Sequence, residues 1–194
     1  MANKRKIEKE YIIDKALDFI RKQGFDTLTA RNLAKEIHIS TQPIYLCFKN
    51  MDELKETILL EIKNIYQSFL RDMIESKKYP VYKCYGMGYI EFAYDEPELF
   101  KTLFMRKRDI KKVDSLKEKI DIQPIIAQIV AKNGFSEEEA NLFHLHMWIY
   151  IHGFATQVAS GYLMWSKEDI SNFISVEYNA LLKYFKQEEI SKCQ

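Results

Sequence analysis

Apolar residues recur along this chain at helical rather than strand spacing. Between Tyr11 and Lys22, Ile12, Ala16, Phe19 and Ile20 fall at i, i+4, i+7 and i+8, the stripe of an amphipathic helix. Gly24 follows it, where a helix C-terminus favours glycine. Thr29 is placed to cap a short helix reaching about Ile37. Ser40 is placed to cap another, with Pro43 in its first turn, where a missing N–H does no harm. Asn50-Met51-Asp52-Glu53 has the pattern of a capping box ahead of a long helix striped by Leu54, Ile58, Ile62, Ile65 and Phe69.

The second half continues in the same way. Pro80 opens a Tyr- and Met-rich helix to about Tyr94, and Asp95-Glu96-Pro97 starts a short one. Residues 106–120 are dense in charge and read partly as loop. Gln123-Pro124 opens a helix that stops at Asn133-Gly134, and Ser136-x-x-Glu139 is a second capping box. Ser166-x-x-Asp169 resembles a third, ahead of a last helix carrying Ile170, Phe173, Ile174, Tyr178, Leu181, Leu182 and Phe185. The pattern predicts an all-α fold of about nine helices.

One segment stands apart. No Asp, Glu, Lys or Arg occurs from Ala140 to Ser166, a run long enough to span a bilayer. Asn141, His144, His146, His152, Thr156 and Gln157 are scattered through it, and Gly161 interrupts it. That polar density argues against a membrane helix. It favours a helix covered by its own domain on one face and by another surface on the opposite one.

Composition narrows the classes. The chain has 194 residues, 6 Gly and 4 Pro, which excludes collagen-like and disordered types and disfavours an all-β fold. The net charge is +1, but residues 1–50 hold ten Lys and Arg against six Asp and Glu, and the remainder carries a net −3. The basic end points to an anionic partner there. Cys47, Cys84 and Cys193 are odd in number and widely spaced, so a disulfide framework is not expected and a reducing cytoplasm is. The first ten residues lack the apolar segment of a secretory signal.

The chemistry concentrates in Thr29 to Phe48. Two short helices lie close together, joined at His38-Ile39, with Leu33, Ala34, Ile37, Ile39, Ile44 and Phe48 as an apolar seam. This is the layout of a helix-turn-helix. A second helix of this kind fits the major groove of double-stranded DNA with its first residues at base edges. Ser40, Thr41 and Gln42 stand there, and Gln42 has the donor–acceptor pair that matches adenine. Pro43 lies in the same turn, and Tyr45 follows Thr41 by one turn and offers its hydroxyl to a phosphate. Lys4, Arg5, Lys6, Lys9, Arg31, Lys35 and Lys49 supply positive charge around it. Short helix pairs with an apolar seam also occur in proteins that never touch DNA, so periodicity and charge alone leave both readings open.

Thr29, Leu33-Ala34, Ile39-Ser40, Ile44-Tyr45, Phe48 and Leu54, at this spacing, resemble the DNA-binding domain of the tetracycline-repressor (TetR/AcrR) family of transcriptional regulators. Tyr45-x-x-Phe48 followed by Asp52-Glu53-Leu54 is the most specific part. The resemblance implies a DNA-binding domain over residues 6–66, with its helix-turn-helix at 29–48, and a helical effector-binding and dimerisation domain over 67–194. It implies a cytoplasmic repressor that binds a pseudo-palindromic operator as a homodimer and is released by a small-molecule effector. Three positions depart from the family's pattern: Gln42 where Gly is frequent, Cys47 where His is frequent, and Met51 where a phosphate-contacting Lys is usual. Met51 cannot make that contact, and Lys49 is the nearest substitute.

Trp148-x-x-x-His152-Gly153 resembles a pattern in one branch of TetR-like C-terminal domains. Large side chains in residues 82–105 and 143–154 suit either a plain core or an adaptable apolar pocket for an apolar or aromatic effector. Tyr89, Phe104, Met147, Trp148 and His152 are the candidate lining residues. Ile151, Ala155, Phe173, Leu181 and Phe185 are the candidate dimer contacts on the last two helices. His144 and His146 point about 200° apart on a helix and cannot share a metal ion. No cofactor loop, metal motif or catalytic constellation is present, and Glu91 reads as a solvated position. Two further classes remain beside the regulator: a helical small-molecule-binding or interaction module that no longer reads DNA, and an all-α enzyme.

Overall fold

A computed structural model of the chain describes residues 7–107, 121–162 and 164–192. Among these residues there are nine α-helices and no strand: α1 (Lys9–Gln23), α2 (Ala30–Glu36), α3 (Gln42–Cys47), α4 (Met51–Glu75), α5 (Val81–Asp95), α6 (Pro97–Phe100), α7 (Gln123–Asn133), α8 (Glu137–Ala159) and α9 (Lys167–Lys192). A short 3-10 turn, Phe25–Thr27, precedes α2, and α6 continues as a π turn over Lys101–Met105. Most of the charge-dense segment, along with Lys4, Arg5, Lys6 and Cys193, lies outside the described residues. Among the described residues no helix is long and apolar enough to cross a membrane.

The chain forms two compact units. The first joins residues up to Ile65 with the segment from Glu96 onward through α6 and its π turn. The second joins Tyr66–Asp95 with α7, α8 and α9. The division at 65/66 falls inside α4, and the return of residues 96–107 to the first unit has no counterpart in the contiguous boundary expected from sequence.

The first unit is built on the expected stripe. Ile12, Ala16, Phe19 and Ile20 of α1 are buried with Leu33, Ala34, Ile44, Phe48, Leu54 and Ile58. Burial of each large side chain contributes about 1.5–3 kcal/mol. Helix α6 packs on α1. The Arg21 guanidinium of α1 also holds the Glu96 carboxylate with two bonds of 2.8 Å, a fork that fixes orientation as well as distance. Asn50 Oδ1 accepts the Glu53 N–H at 2.9 Å, and the Glu53 carboxylate accepts from Lys49 N–H at 2.7 Å rather than from Asn50, so the box is closed one residue early.

Between α2 and α3 the chain turns through a Schellman motif. The Ile39 N–H donates to the Ala34 carbonyl at 2.9 Å, and the His38 N–H to Lys35 at 3.3 Å. His38 takes φ 56° to allow this, a left-handed conformation that disfavours a residue with a Cβ. Its replacement by glycine is expected to raise stability by up to about 1 kcal/mol, read as a higher denaturant midpoint at unchanged slope. A lower midpoint would mean that the imidazole makes a contact outweighing the strain.

In the second unit α8 is the central strut. Ala140, Phe143, Met147, Ile151, Ala155 and Ala159, spaced by three or four, are all buried, and α5, α7 and α9 pack on α8. Ser136 caps this helix with a complete capping box, and Gly134 closes α7 in the left-handed conformation at φ 78°. Phe143 sits among the rings of Tyr82, Phe135, Tyr178 and Phe185, with centroids 5.3–6.2 Å away.

Candidate nucleic-acid interface

Thr29 caps α2 as its sequence position suggests, its Oγ1 accepting the Asn32 N–H at 3.1 Å. Arg31 and Lys35 follow on the exposed side of α2, four residues apart, and neither meets a carboxylate among the described residues. Glu36 of α2 is paired with Lys22 at 3.0 Å, and Glu53 of α4 with Lys9 at 3.7 Å.

Helix α3 begins one residue later than expected. Thr41 rather than Ser40 is its N-cap, with αR backbone angles and no side-chain cap bond, and Pro43 occupies the second helical position. A cap of this kind needs an extended backbone to turn its oxygen onto the helix N–H groups, and Thr41 does not have one. As a result the side chains of Ser40, Thr41 and Gln42 are exposed and make no hydrogen bond within the protein among the described residues. Three donor–acceptor groups stand free at the start of a helix whose opposite face, Ile44 and Phe48, is wholly buried.

The outward face of α3 is completed by Tyr45, 51% exposed, and Leu46, 79% exposed. Leu46 is absent from the sequence candidates, which place apolar residues in the seam. It lies one turn from Gln42, so the i, i+4 relation puts it on the same outward face. An exposed leucine there has the shape to meet a thymine methyl group. Lys49 is exposed just after the helix. Met51, half-buried, opens α4 and brings no charge. Cys47 is half-buried with its Sγ 3.6 Å from the Ile7 carbonyl oxygen.

The second unit distributes the remaining candidates differently from expectation. Tyr89, Trp148 and His152 do come together: the Tyr89 hydroxyl is 2.8 Å from His152 Nδ1, and the Trp148 ring stacks on the imidazole at 5.0 Å. The hydroxyl and the imidazole nitrogen satisfy each other. Burial holds the His152 pKa below its ordinary value and pushes that of Tyr89 up, so both are neutral near pH 7. Tyr82 and His144 form a similar pair at 3.3 Å. Phe104 belongs to the first unit, where its ring packs on Phe100 at 5.1 Å. Met147 lines a separate cavity of about 200 Å³, together with Gly86, Ile151, Ile174, Lys83 and Lys132.

The candidate dimer contacts differ in burial within the protomer. Ile151, Ala155 and Phe185 are buried inside the protomer, while Phe173 and Leu181 are half-buried. Among the described residues the exposed large apolar side chains of the same two helices are Leu142, Leu145, Trp148 and Ile149 on α8 and Val176 and Tyr184 on α9. Glu91 is half-buried and pairs with Lys167 at 3.5 Å rather than standing in solvent.

Residues 12–58 match the tetR family of bacterial regulatory proteins, and residues 84–180 match the tetracyclin repressor-like C-terminal domain. The fold is similar to that of the fatty acid degradation regulator FadR from Bacillus halodurans, with a TM-score of 0.61 over 93% of this chain and 97% of that one. At 16% identity this is a likeness of fold.

Proposed function

Because the chain belongs to the tetR family of DNA-binding helix-turn-helix transcription regulators, we propose that it is a cytoplasmic repressor that binds a pseudo-palindromic operator as a homodimer and releases it when a small-molecule effector enters its C-terminal unit. The observation that carries the DNA reading is the outward face of α3. It presents free Ser40, Thr41 and Gln42 groups with Tyr45 and Leu46, and Arg31, Lys35 and Lys49 flank it. Ser40, Thr41, Gln42 and Leu46 are positioned to meet base edges, and Thr29, Pro43 and Tyr45 to lie along the backbone.

Pairing is supported by Leu142, Leu145 and Ile149, which form a second apolar stripe on α8 opposite its buried one. Gly153, one turn on, has open space where a Cβ would stand, which suits close approach of a symmetry-related helix. Two α8–α9 pairs make a four-helix bundle, and an isologous dimer of this kind sets two α3 helices to read half-sites about 34–36 Å apart. An effector shifts the operator equilibrium only by binding one spacing of the two reading helices better than the other.

The test is capture of genomic DNA fragments by the purified protein over a salt series. A sequence preference is expected, with a slope of about −0.9 in log K per log salt for each phosphate neutralised. Gln42→Ala is expected to relax preference at one operator position by about 1–3 kcal/mol, and Tyr45→Ala to weaken all sequences alike. Absence of any sequence preference would leave the alternative, a helical binding module in which Met51 marks the loss of a phosphate contact.

A further inference from the structure

We propose that the cavity bounded by α5, α7, α8 and α9 binds a small apolar carboxylate, its charge met by Lys83 and Lys132 and its apolar body lying on Gly86, Met147, Ile151 and Ile174. At about 200 Å³ it falls below the roughly 300 Å³ at which drug-sized ligand sites begin, and above the about 150 Å³ apolar cavity that accepts a benzene ring. A single aromatic ring or a medium-length alkyl chain with one charged group fills such a space.

The two lysines carry the argument for charge. Neither has a carboxylate partner among the described residues, and no Asp or Glu lines the cavity. Lys132 has a structural explanation: it stands in the last turn of α7, where the helix dipole favours a cation, with its ammonium 5.3 Å from the centre of the Tyr178 ring. Lys83 has none. It is the third residue of α5, at the positive end of the dipole, where a cation is disfavoured. Burial also removes part of its hydration and pushes its pKa below the ordinary lysine value.

Among the described residues, one hydrogen bond, to Ser175 Oγ at 2.7 Å, and the Tyr79 ring at 4.8 Å hold Lys83 in place. A cation set against both the dipole and its own solvation, beside an apolar hollow, is complementary to an anion that the protein does not itself supply. The first N–H groups of α5 lie at the same end and add positive potential. The mainly apolar lining favours a singly charged, mostly hydrocarbon ligand over a phosphate, which would have to shed far more water.

Calorimetric titration of the full chain with octanoate and benzoate, against octanamide and benzamide of matching shape, tests this. The carboxylates are expected to bind saturably and at least about tenfold more tightly than the amides. Lys83→Met keeps the alkyl stem and is expected to erase that preference while leaving amide affinity within about twofold, which also shows that the variant is folded. Lys132→Met is expected to reduce the preference in part. Equal affinity for acid and amide, no saturable binding of either, or displacement of octanoate by inorganic phosphate at like concentration would each overturn the proposal. That this ligand acts as the effector rests on the repressor reading above. A carboxylate that binds without releasing captured DNA leaves the site standing and refutes its regulatory role; a protein that captures no DNA refutes the reading and not the site.

Discussion

Ile149→Glu is expected to leave a folded protomer that no longer pairs, and to weaken operator binding by about 10²–10⁴-fold. The side chain is 58% exposed in the single chain, so its replacement removes little from the protomer's own core. Its neighbours on that face are Leu145, four residues before, and Gly153, four after. A carboxylate there would have to enter the seam between two copies without a counter-ion, and an unpaired buried charge is among the most costly groups to desolvate. The DNA consequence is larger than the contact itself. A dimer binds its second half-site at a high effective concentration, and a monomer loses that advantage, which is where the expected factor arises. Sedimentation, circular dichroism and fragment binding check the three parts separately. A dimer that persists in the Ile149→Glu variant would show that pairing uses another surface.

Phe143→Ala is expected to destabilise the second unit by about 3–5 kcal/mol. Phe143 is fully buried and touches rings from α5, the α7–α8 turn and α9 at once, so no single neighbour can move to fill the space it leaves. At about 2–4 °C per kcal/mol for a chain of this size, the midpoint should fall by roughly 10 °C. Phe143→Leu, which keeps most of the volume, should lose far less, and Leu142→Ala on the exposed side should stay within about 0.5 kcal/mol. The three variants share one turn of α8. A uniform effect across them would mean that the inward and outward faces are assigned wrongly.

The local features of the fold were legible because their causes are local. A stripe at 3.6-residue period, a Thr or Ser oxygen three residues before an N–H, and a glycine at the end of a helix all act within a few residues, and α1, the Thr29 cap, the Ser136 box and Gly134 stand where the pattern puts them. Faces were harder. Periodicity says that Ile151 and Ala155 lie on one side of α8, but in an uncharged helix it does not say which side looks inward, and these two are core. Leu46 is the reverse case, an apolar residue turned outward because Ile44 and Phe48 already fill the seam.

Specific pairings across long separations were not legible, even where their members were grouped as candidates. Tyr89 and His152 are 63 residues apart, and only the packing of α5 on α8 makes them partners. The cavity beside Met147 depends on the same packing. Its lysines, on α5 and α7, are 49 residues apart and share no local sequence pattern.

The first unit is not a continuous stretch of chain, and this limits how it can be excised. A peptide ending at residue 66 would contain every group proposed to touch DNA, yet it would lack α6, which covers part of α1, and it would leave Arg21 without the Glu96 carboxylate. Such a fragment would expose apolar surface on α1 that the whole protein keeps dry. Grafting the reading head onto another scaffold therefore requires carrying the segment from Glu96 through Met105 along with it.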